Sequence, residues 1–187
     1  MLAGEAWAEE LYRNTGCALQ AVTEEDLGDV SLGLERNSAE DLLENVYAHL
    51  KGRSLPLADA AYRELKASMP ALLPVRFSNG DLWLDNFIIR DGKLAGIIDF
   101  QGATFSDPIF EFLLPFFVSP ELKGRGIEER YCQQIGVDPA HLQWYHELEY
   151  FETWDYVLST GKNFVHQTAQ SLEANLKEWL EDASGVR

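Results

Sequence analysis

The chain has 187 residues, of which 46% are hydrophobic and 25% charged, a balance typical of a folded globular protein. Its 31 acidic and 15 basic residues give a formal net charge of -16, which argues against nucleic acid and anionic membrane surfaces as partners, because both need a basic protein face. The acidity suits a cationic small-molecule partner, and it equally suits a protein whose charge only prevents association.

The first 70 residues predict helices. Thr23 is followed by three acidic residues, which is typical of a helix start with a hydroxyl cap and an acidic first turn. Ser38 and Asp41 form a near capping box, and the apolar residues behind it recur at helical spacing. The predicted elements are helices over 2–21, from Thr23, from Ser38 to Gly52 and over 57–69, followed by a strand-like segment at 75–77.

A β-hairpin is the next predicted element. Phe87-Ile88-Ile89 is a short apolar run, and residues 94–98 are apolar again. Asp91-Gly92 lies between them and is a strong hairpin-turn dipeptide, because glycine tolerates the positive φ that such turns need. The hairpin brings two polar ends together, since Asn86 precedes its first strand and Asp99 follows its second.

The register of this hairpin follows from the turn, provided that the turn has two residues. Arg90 then pairs with Lys93, and continuing along the strands pairs Asn86 with Ile97. Asp99 falls one diagonal step beyond Asn86, on the same face of the hairpin. Diagonal neighbours lie about 7–8 Å apart, which lets two side-chain oxygens reach one cation with bonds of about 2.1 Å.

Asp81 completes a pattern with these two residues. It lies five residues before Asn86, on the loop that enters the first strand of the hairpin. An Asp, an Asn five residues later and a second Asp after a hairpin form the arrangement that phosphoryl transfer needs. The first Asp orients the acceptor hydroxyl and takes its proton, while the Asn and the second Asp hold Mg²⁺ against the phosphates. The alternative is an ordinary buried hairpin with polar ends.

The segment from 77 to 108 resembles the aminoglycoside phosphotransferase and choline kinase-like family of small-molecule kinases, which share the protein-kinase fold. That family carries roughly the pattern HGDxxxxN, a hairpin, IDF or IDW, and then Gly-Asp-Pro. The matching positions here are Asn79-Gly80-Asp81, Asn86, Ile98-Asp99-Phe100 and Ser106-Asp107-Pro108. The resemblance implies an α+β, mainly helical fold with a catalytic β-hairpin.

The resemblance also implies roles for individual residues. Asp81 would be the catalytic base, and Asn86 and Asp99 would bind Mg²⁺ and, through it, the phosphates of ATP or GTP. Asn79 and Asp107 would support the site. Asn79 stands where the family has a histidine; its amide can still form hydrogen bonds locally but cannot be charged.

Further helices are predicted after Asp107-Pro108. The resemblance places a helix directly behind the site. Ser119-Pro120 and Asp138-Pro139 each favour a helix start, because proline is suited to the first helical position. Residues 171–182 predict a final helix, with leucine at every fourth position.

Residues 141–160 are rich in aromatic side chains with acids between them. In the family that this chain resembles, helices after the metal-binding loop form part of the acceptor pocket, and aromatic faces with carboxylates suit a cation. Glu147, Glu152, Trp154 and Asp155 are therefore candidate acceptor-binding residues. The alternative, which we favour for most of the acids, is an amphipathic core helix with the aromatics inward and the acids in water.

The resemblance covers nearly the whole chain but only one lobe of the kinase fold. No glycine-rich phosphate loop and no strand with a phosphate-binding lysine precede Phe77. We therefore expect residues 1–187 to form a single domain, the C-terminal lobe, without the N-terminal lobe. Three explanations are open. The chain would be a piece of a longer kinase, or a short protein that uses its exposed inter-lobe surface to bind a separate small lobe or to form a homodimer. It would otherwise be a non-catalytic remnant that binds a small molecule or a protein.

Cysteine usage and hydropathy bear on the compartment. Cys17 and Cys132 are the two cysteines, without metal-type spacing, which favours a reducing environment. The first residues are acidic and do not resemble a signal peptide, and no apolar run is long enough to span a bilayer. The expectation is a cytoplasmic protein.

Overall fold

The computed structural model describes residues 19, 21–82, 84–91, 93–110, 113 and 126–185. These residues fall into two compact units, the first formed by Met1–Ser38 and Leu73–Pro139 and the second by Ala39–Leu72 and Ala140–Arg187. The mixed α+β, mainly helical class predicted from the sequence is confirmed. A single domain over 1–187 and its assignment as a C-terminal lobe stay predictions.

The first unit contains the strands. Thr23 caps its first helix as predicted, because the Thr23 side chain accepts from the Asp26 backbone N–H and the Asp26 side chain accepts from that of Thr23. The described elements of this unit are α1 (Glu24–Leu27), a 3-10 helix (Gly28–Gly33), β1 (Arg36–Asn37), β2 (Arg76–Ser78), a 3-10 turn (Leu84–Asn86), β3 (Phe87–Arg90), β4 (Lys93–Ile97), β5 (Thr104–Ser106) and α4 (Ile127–Ile135).

A three-stranded sheet anchors the chain on both sides of the hairpin. Its order is β1–β5–β2, with β1 parallel and β2 antiparallel to β5. Phe77 of β2 pairs with Phe105 of β5, and their rings meet edge to face at 6.1 Å in a core that also contains Leu82, Phe87 and Tyr131. The polar segments that follow β2 and precede β5 are therefore each anchored at one end in the hydrophobic core.

The hairpin of β3 and β4 contains a β-bulge that the sequence did not reveal. The backbone pairs are Arg90 with Lys93, Ile89 with Leu94, Ile88 with Gly96, and Phe87 with Ile97. The two pairs next to the turn confirm the prediction, but Ala95 has no partner, and the register shifts there by one residue. The predicted pairing of Asn86 with Ile97 is therefore wrong: the Asn86 carbonyl accepts from the Ile98 N–H at 2.9 Å.

The second unit is a packed group of helices. Its core consists of apolar side chains from all four α-helices, with Leu43, Leu65, Phe151 and Leu172 fully buried. The Trp144 indole N–H donates to the Leu65 carbonyl at 2.8 Å, which ties two of the helices together. The elements are α2 (Ala39–Lys51), α3 (Pro56–Ala67), a 3-10 turn (Pro139–His141) that begins in the first unit, α5 (Leu142–Thr160) and α6 (Ala169–Ala183).

The predicted helices agree with this unit. α2 begins one residue after Ser38, α3 covers most of 57–69, and α6 contains 171–182. The helix predicted to start at Asp138-Pro139 is found as the 3-10 turn that continues into α5. The helix predicted from Ser119-Pro120 and nearly all of the helix predicted over 2–21 lie outside the described residues. In the part of the chain that the structure describes, no helix is long and apolar enough to cross a membrane.

Candidate functional site

Asn79 links two of the predicted site segments. Its side chain is fully buried directly after β2. The Asn79 Nδ2 donates to the backbone carbonyl of Asp99 at 3.0 Å, and its Oδ1 accepts from the backbone N–H of Asp81 at 3.2 Å. One side chain therefore links the segment with the predicted base to the segment with the predicted metal ligand.

Gly80 and Gly102 bring these two segments into backbone contact. Gly80 has a φ of +74°, and a Cβ atom added there would lie 2.2 Å from the Gly102 carbonyl oxygen. A Cβ atom added at Gly102 would meet its nearest atom at 3.6 Å, an ordinary contact. The close approach therefore requires glycine at position 80 and tolerates a larger residue at 102.

Asn86 contacts Asp81 directly. Its Nδ2 donates to the Asp81 carbonyl at 2.8 Å and to the Asp81 carboxylate Oδ2 at 3.1 Å. Both bonds use the amide nitrogen, so the amide oxygen is directed away from Asp81. Among the described residues that oxygen has no hydrogen-bond donor, and it is therefore suited to bind a cation.

Asp99 lies next to Asn86 across the hairpin. Ile98 pairs with Asn86, and Asp99 follows Ile98 directly in the chain. The φ of +61° at Asp99 turns the backbone out of the strand direction. Its side chain is exposed, and its carboxylate has no hydrogen bond within the described ranges. The predicted diagonal position of Asp99 is not found, since the bulge at Ala95 moves it one residue closer to the pairing partner of Asn86.

The side-chain oxygens of Asn86 and Asp99 are of the type that binds magnesium. Mg²⁺ prefers oxygen ligands and is commonly held by one or two carboxylates together with substrate phosphates. In the described part of the chain, no group of three or more His, Cys, Asp or Glu residues could hold a metal ion. A cation here would bind to one carboxylate and one amide oxygen, with water or substrate oxygens completing its coordination.

Asp107 supports the exit from β5. Its buried carboxylate Oδ1 accepts from the Ile109 backbone N–H at 3.1 Å, and its carbonyl accepts from the Phe110 N–H at the same distance. The Tyr131 hydroxyl of α4 donates to the Pro108 carbonyl at 3.0 Å. These bonds fix the turn that follows the site segments, which agrees with a structural role for Asp107.

The candidate acceptor residues all lie on α5, in the second unit. Glu147 and Asp155 are buried, Glu152 is half-buried, and Trp154 is only 1% exposed. Glu149, which the sequence did not single out, is also buried. The expectation that the aromatics would face inward and the acids would face water is wrong for these carboxyl groups. The sequence of α5 did not reveal the burial of these acids, because its aromatic residues and acids do not separate onto two faces of the helix.

Burial changes the protonation of two of these acids. Burial, with a smaller contribution from the nearby Glu152 carboxyl, raises the pKa of Glu149 to about 8. Burial likewise raises the pKa of Glu152 to about 7, with a further contribution from Asp155. Both groups therefore carry protons at pH values at which an exposed glutamate is ionised.

Asp155 and Trp154 differ in their partners. The Asp155 carboxylate contacts the Nδ1 of His49 at 3.1 Å and accepts from the Ser159 hydroxyl at 3.2 Å, so its interactions tie α5 to α2. The buried indole N–H of Trp154 has no acceptor among the described residues. The Glu147 carboxylate accepts a hydrogen bond from Gln143. An acceptor role for Asp155, Trp154, Glu147 and Glu152 stays a prediction.

Comparison with known proteins agrees with the sequence motif. A family model described as APH, phosphotransferase enzyme family, matches residues 3–148. A search of curated protein sequences gave no match.

Solved structures share this fold. The GDP and kanamycin complex of APH(2")-IIia superposes with a TM-score of 0.61 at 17% identity, covering 96% of this chain and 63% of that one. Macrolide 2'-phosphotransferase type I gives a TM-score of 0.59 at 18% identity, covering 91% of this chain and 58% of that one. MphH, a macrolide 2'-phosphotransferase from Brachybacterium faecium, gives 0.54 at 18% identity, covering 91% and 59%. The chain thus spans about three fifths of the length of these structures.

Replacing Gly80 by Ala should destabilise the site segments. We expect Gly80→Ala to lower the free energy of unfolding by about 1–3 kcal/mol, because the new Cβ would clash with the Gly102 carbonyl at a positive φ. Gly102→Ala is the matched control, and its effect should stay within about 0.5 kcal/mol. Chemical denaturation measures both. Equal stability of the two variants would contradict the close approach.

The buried acids of α5 should make stability fall as pH rises. The folded pKa values of Glu149 and Glu152 lie above the ordinary value of 4.5, so the folded state holds more protons than the unfolded state between about pH 5 and 8. Glu149→Gln should flatten this decline and raise stability at pH 8 by about 2 kcal/mol. Glu181→Gln on α6 is the control. Denaturation curves at several pH values test this, and a wild-type profile that is flat over the window contradicts it.

Proposed function

Because the chain belongs to the APH phosphotransferase enzyme family, we propose that it transfers the γ-phosphate of ATP or GTP to a hydroxyl group of a small, cationic acceptor. The reaction type is that of an aminoglycoside phosphotransferase-like kinase. The observation that carries the proposal is the amide of Asn86. Its nitrogen holds the Asp81 carboxylate while its oxygen is available beside Asp99.

Asp81 acts as the general base in this proposal. The Asn86 amide holds Oδ2 of the carboxylate, which leaves Oδ1 for the acceptor hydroxyl. Asp81 takes the hydroxyl proton as the acceptor oxygen bonds to the γ-phosphorus and the bond to the β-phosphate oxygen breaks. Asn86 and Asp99 would hold Mg²⁺, which neutralises charge on the phosphate oxygens.

The acidity of α5 supports a cationic acceptor. Burial raises the pKa of Glu152, and a carboxyl group shifted in this way regains its charge when a cation binds next to it, so Glu152 is a good candidate to bind an amine. Glu147 is buried on the same helix and is the second candidate. Asp155 is already used by His49 and Ser159. The neighbour solved with kanamycin suggests an aminoglycoside as the first acceptor to try, and the macrolide phosphotransferases suggest a second class.

An exposed apolar surface supports the need for a further nucleotide-binding segment. Ile88, Ile98 and Phe100, which we call the hairpin surface, are between 42% and 47% exposed, next to the proposed cation ligands. Clustered apolar exposure marks an interaction site. The similar structures contain more polypeptide than this chain, so we propose that a nucleotide-binding segment, in the same polypeptide or a separate one, covers this surface.

Without that segment, the hairpin surface should promote self-association. We expect sedimentation velocity of the 187-residue chain to show concentration-dependent association, because the exposed isoleucines are buried by a second copy. Combining Ile88→Ser and Ile98→Ser should weaken it, and Val165→Ser, which changes an exposed side chain in the second unit, should not. A chain that is monomeric at every concentration contradicts this role of the surface.

Replacing the proposed base should remove activity. In a protein that includes a nucleotide-binding segment, Asp81→Ala should lower phosphate transfer from ATP or GTP to kanamycin by roughly 10²–10⁴-fold, the usual contribution of general base catalysis. Asp85→Ala is the control, since Asp85 is exposed in the same 3-10 turn as Asn86. Full activity of Asp81→Ala would show that the base assignment is wrong.

Calorimetric titration with MgATP and MgGTP separates this proposal from a non-catalytic binding protein. Nucleotide binding that is lost in Asp99→Asn supports the phosphotransferase. A protein that binds neither nucleotide, even with the additional segment, would be a remnant that uses the fold for another ligand.

A further inference from the structure

Hydrogen bonds of side chains and backbone join four residues of the site, Asn79, Asp81, Asn86 and Asp99, into a ring that is nearly closed. Asn79 accepts from the Asp81 backbone N–H and donates to the Asp99 carbonyl. Asn86 donates to both the carbonyl and the carboxylate of Asp81. Two side-chain amides therefore bind Asp81. One belongs to Asn86, itself a proposed cation ligand, and the other belongs to Asn79, which also bonds to the backbone of Asp99, the second proposed ligand.

The fourth side of the ring lies between Asn86 and Asp99. The hairpin backbone brings these residues together, since the Ile98 N–H donates to the Asn86 carbonyl at 2.9 Å. The amide oxygen of Asn86 and the carboxylate of Asp99 are both acceptors, so they cannot form a hydrogen bond with each other. A divalent cation can bind both oxygens, and it would close the ring.

We propose that Asn79 is a positioning residue that makes the placement of Asp81 depend on cation binding at Asn86 and Asp99. The inference rests on the proposed function, from which it takes the cation site. Asn79 suits this role because it is fully buried and its amide offers one donor and one acceptor without a charge. A cation that holds Asp99 therefore also holds the Asp99 carbonyl, the Asn79 amide and the Asp81 N–H.

The backbone contact next to Asn79 strengthens this coupling. Gly80 packs so closely against Gly102 that the two segments have little room to move separately. A residue that only stabilised the loop would contribute to the free energy of unfolding and would leave the affinity for the cation unchanged. A positioning residue also changes that affinity, although it does not touch the cation.

The affinity of the 187-residue chain for Mn²⁺, used as a probe for Mg²⁺, tests the proposal by electron paramagnetic resonance of the free ion. Asn79→Ala should weaken Mn²⁺ binding by roughly three- to tenfold, as expected for the loss of one net hydrogen bond. Asn79→His should restore binding to within about twofold, because a neutral imidazole also has one donor and one acceptor. Asp85→Ala is the control on the same loop, with circular dichroism to check folding.

Amide hydrogen exchange at Asp81, measured by NMR, gives a readout that a merely structural role would not change. In the wild-type chain, diamagnetic Mg²⁺ should slow exchange of the Asp81 N–H, which is bonded to Asn79. In Asn79→Ala the same cation should leave this exchange unchanged. If Asn79→Ala does not fold, Asn79→Ser replaces it, since a shorter hydroxyl cannot span both partners.

The outcomes separate the two ideas. If Asn79→Ala binds Mn²⁺ as the wild type does, while Asp99→Asn loses binding, the positioning role is overturned and the cation site stands. If the wild-type chain binds no Mn²⁺ at millimolar concentration, or Asp99→Asn binds it unchanged, the cation site is wrong, and the positioning role is wrong with it.

Discussion

The buried amide of Asn79 is the interaction on which the site depends. It joins the loop after β2 to the segment after β4 through two hydrogen bonds. The backbone contact of Gly80 with Gly102 acts at the same place and requires a glycine. Together they set the distance between the proposed base and the proposed metal ligand. The three-stranded sheet supports this arrangement, because Phe77 of β2 and Phe105 of β5 anchor the two strands in the hydrophobic core.

The second unit combines an apolar core with buried carboxyl groups. Its core is built from aliphatic and aromatic side chains, yet α5 carries carboxyl groups into that environment. Burying an ionised carboxylate without a cation is costly, and burial accordingly raises the pKa values of Glu149 and Glu152. Asp155 contacts His49 and accepts a hydrogen bond from Ser159. Such a helix is stable mainly through its apolar contacts, and its acids lower stability as they ionise.

The sequence predicted the parts of the fold that depend on local signals. The Thr23 cap, the helical repeats and the two-residue spacing around Asp91 were read correctly, because each depends on residues close in the chain. The bulge at Ala95 was not predictable, since strand pairing was counted position by position and an inserted residue leaves no local mark. β1 was missed because two residues, Arg36 and Asn37, carry no periodicity. Within the site, the roles assigned to Asp81, Asn86 and Asp99 came from a motif, whereas the Gly80–Gly102 contact and the burial of Glu149 required the structure.

The left-handed backbone at Asp99 has a consequence for how this protein can change over evolutionary time. At a φ of +61°, glycine, asparagine and aspartate are the residues that fit without appreciable strain. Conformation therefore narrows the choice at this position before chemistry does. Asparagine differs from aspartate by one functional group and keeps the same backbone, so a lineage could lose the charge here while retaining the fold. A family built on this loop can in this way give rise to folded descendants that serve as scaffolds.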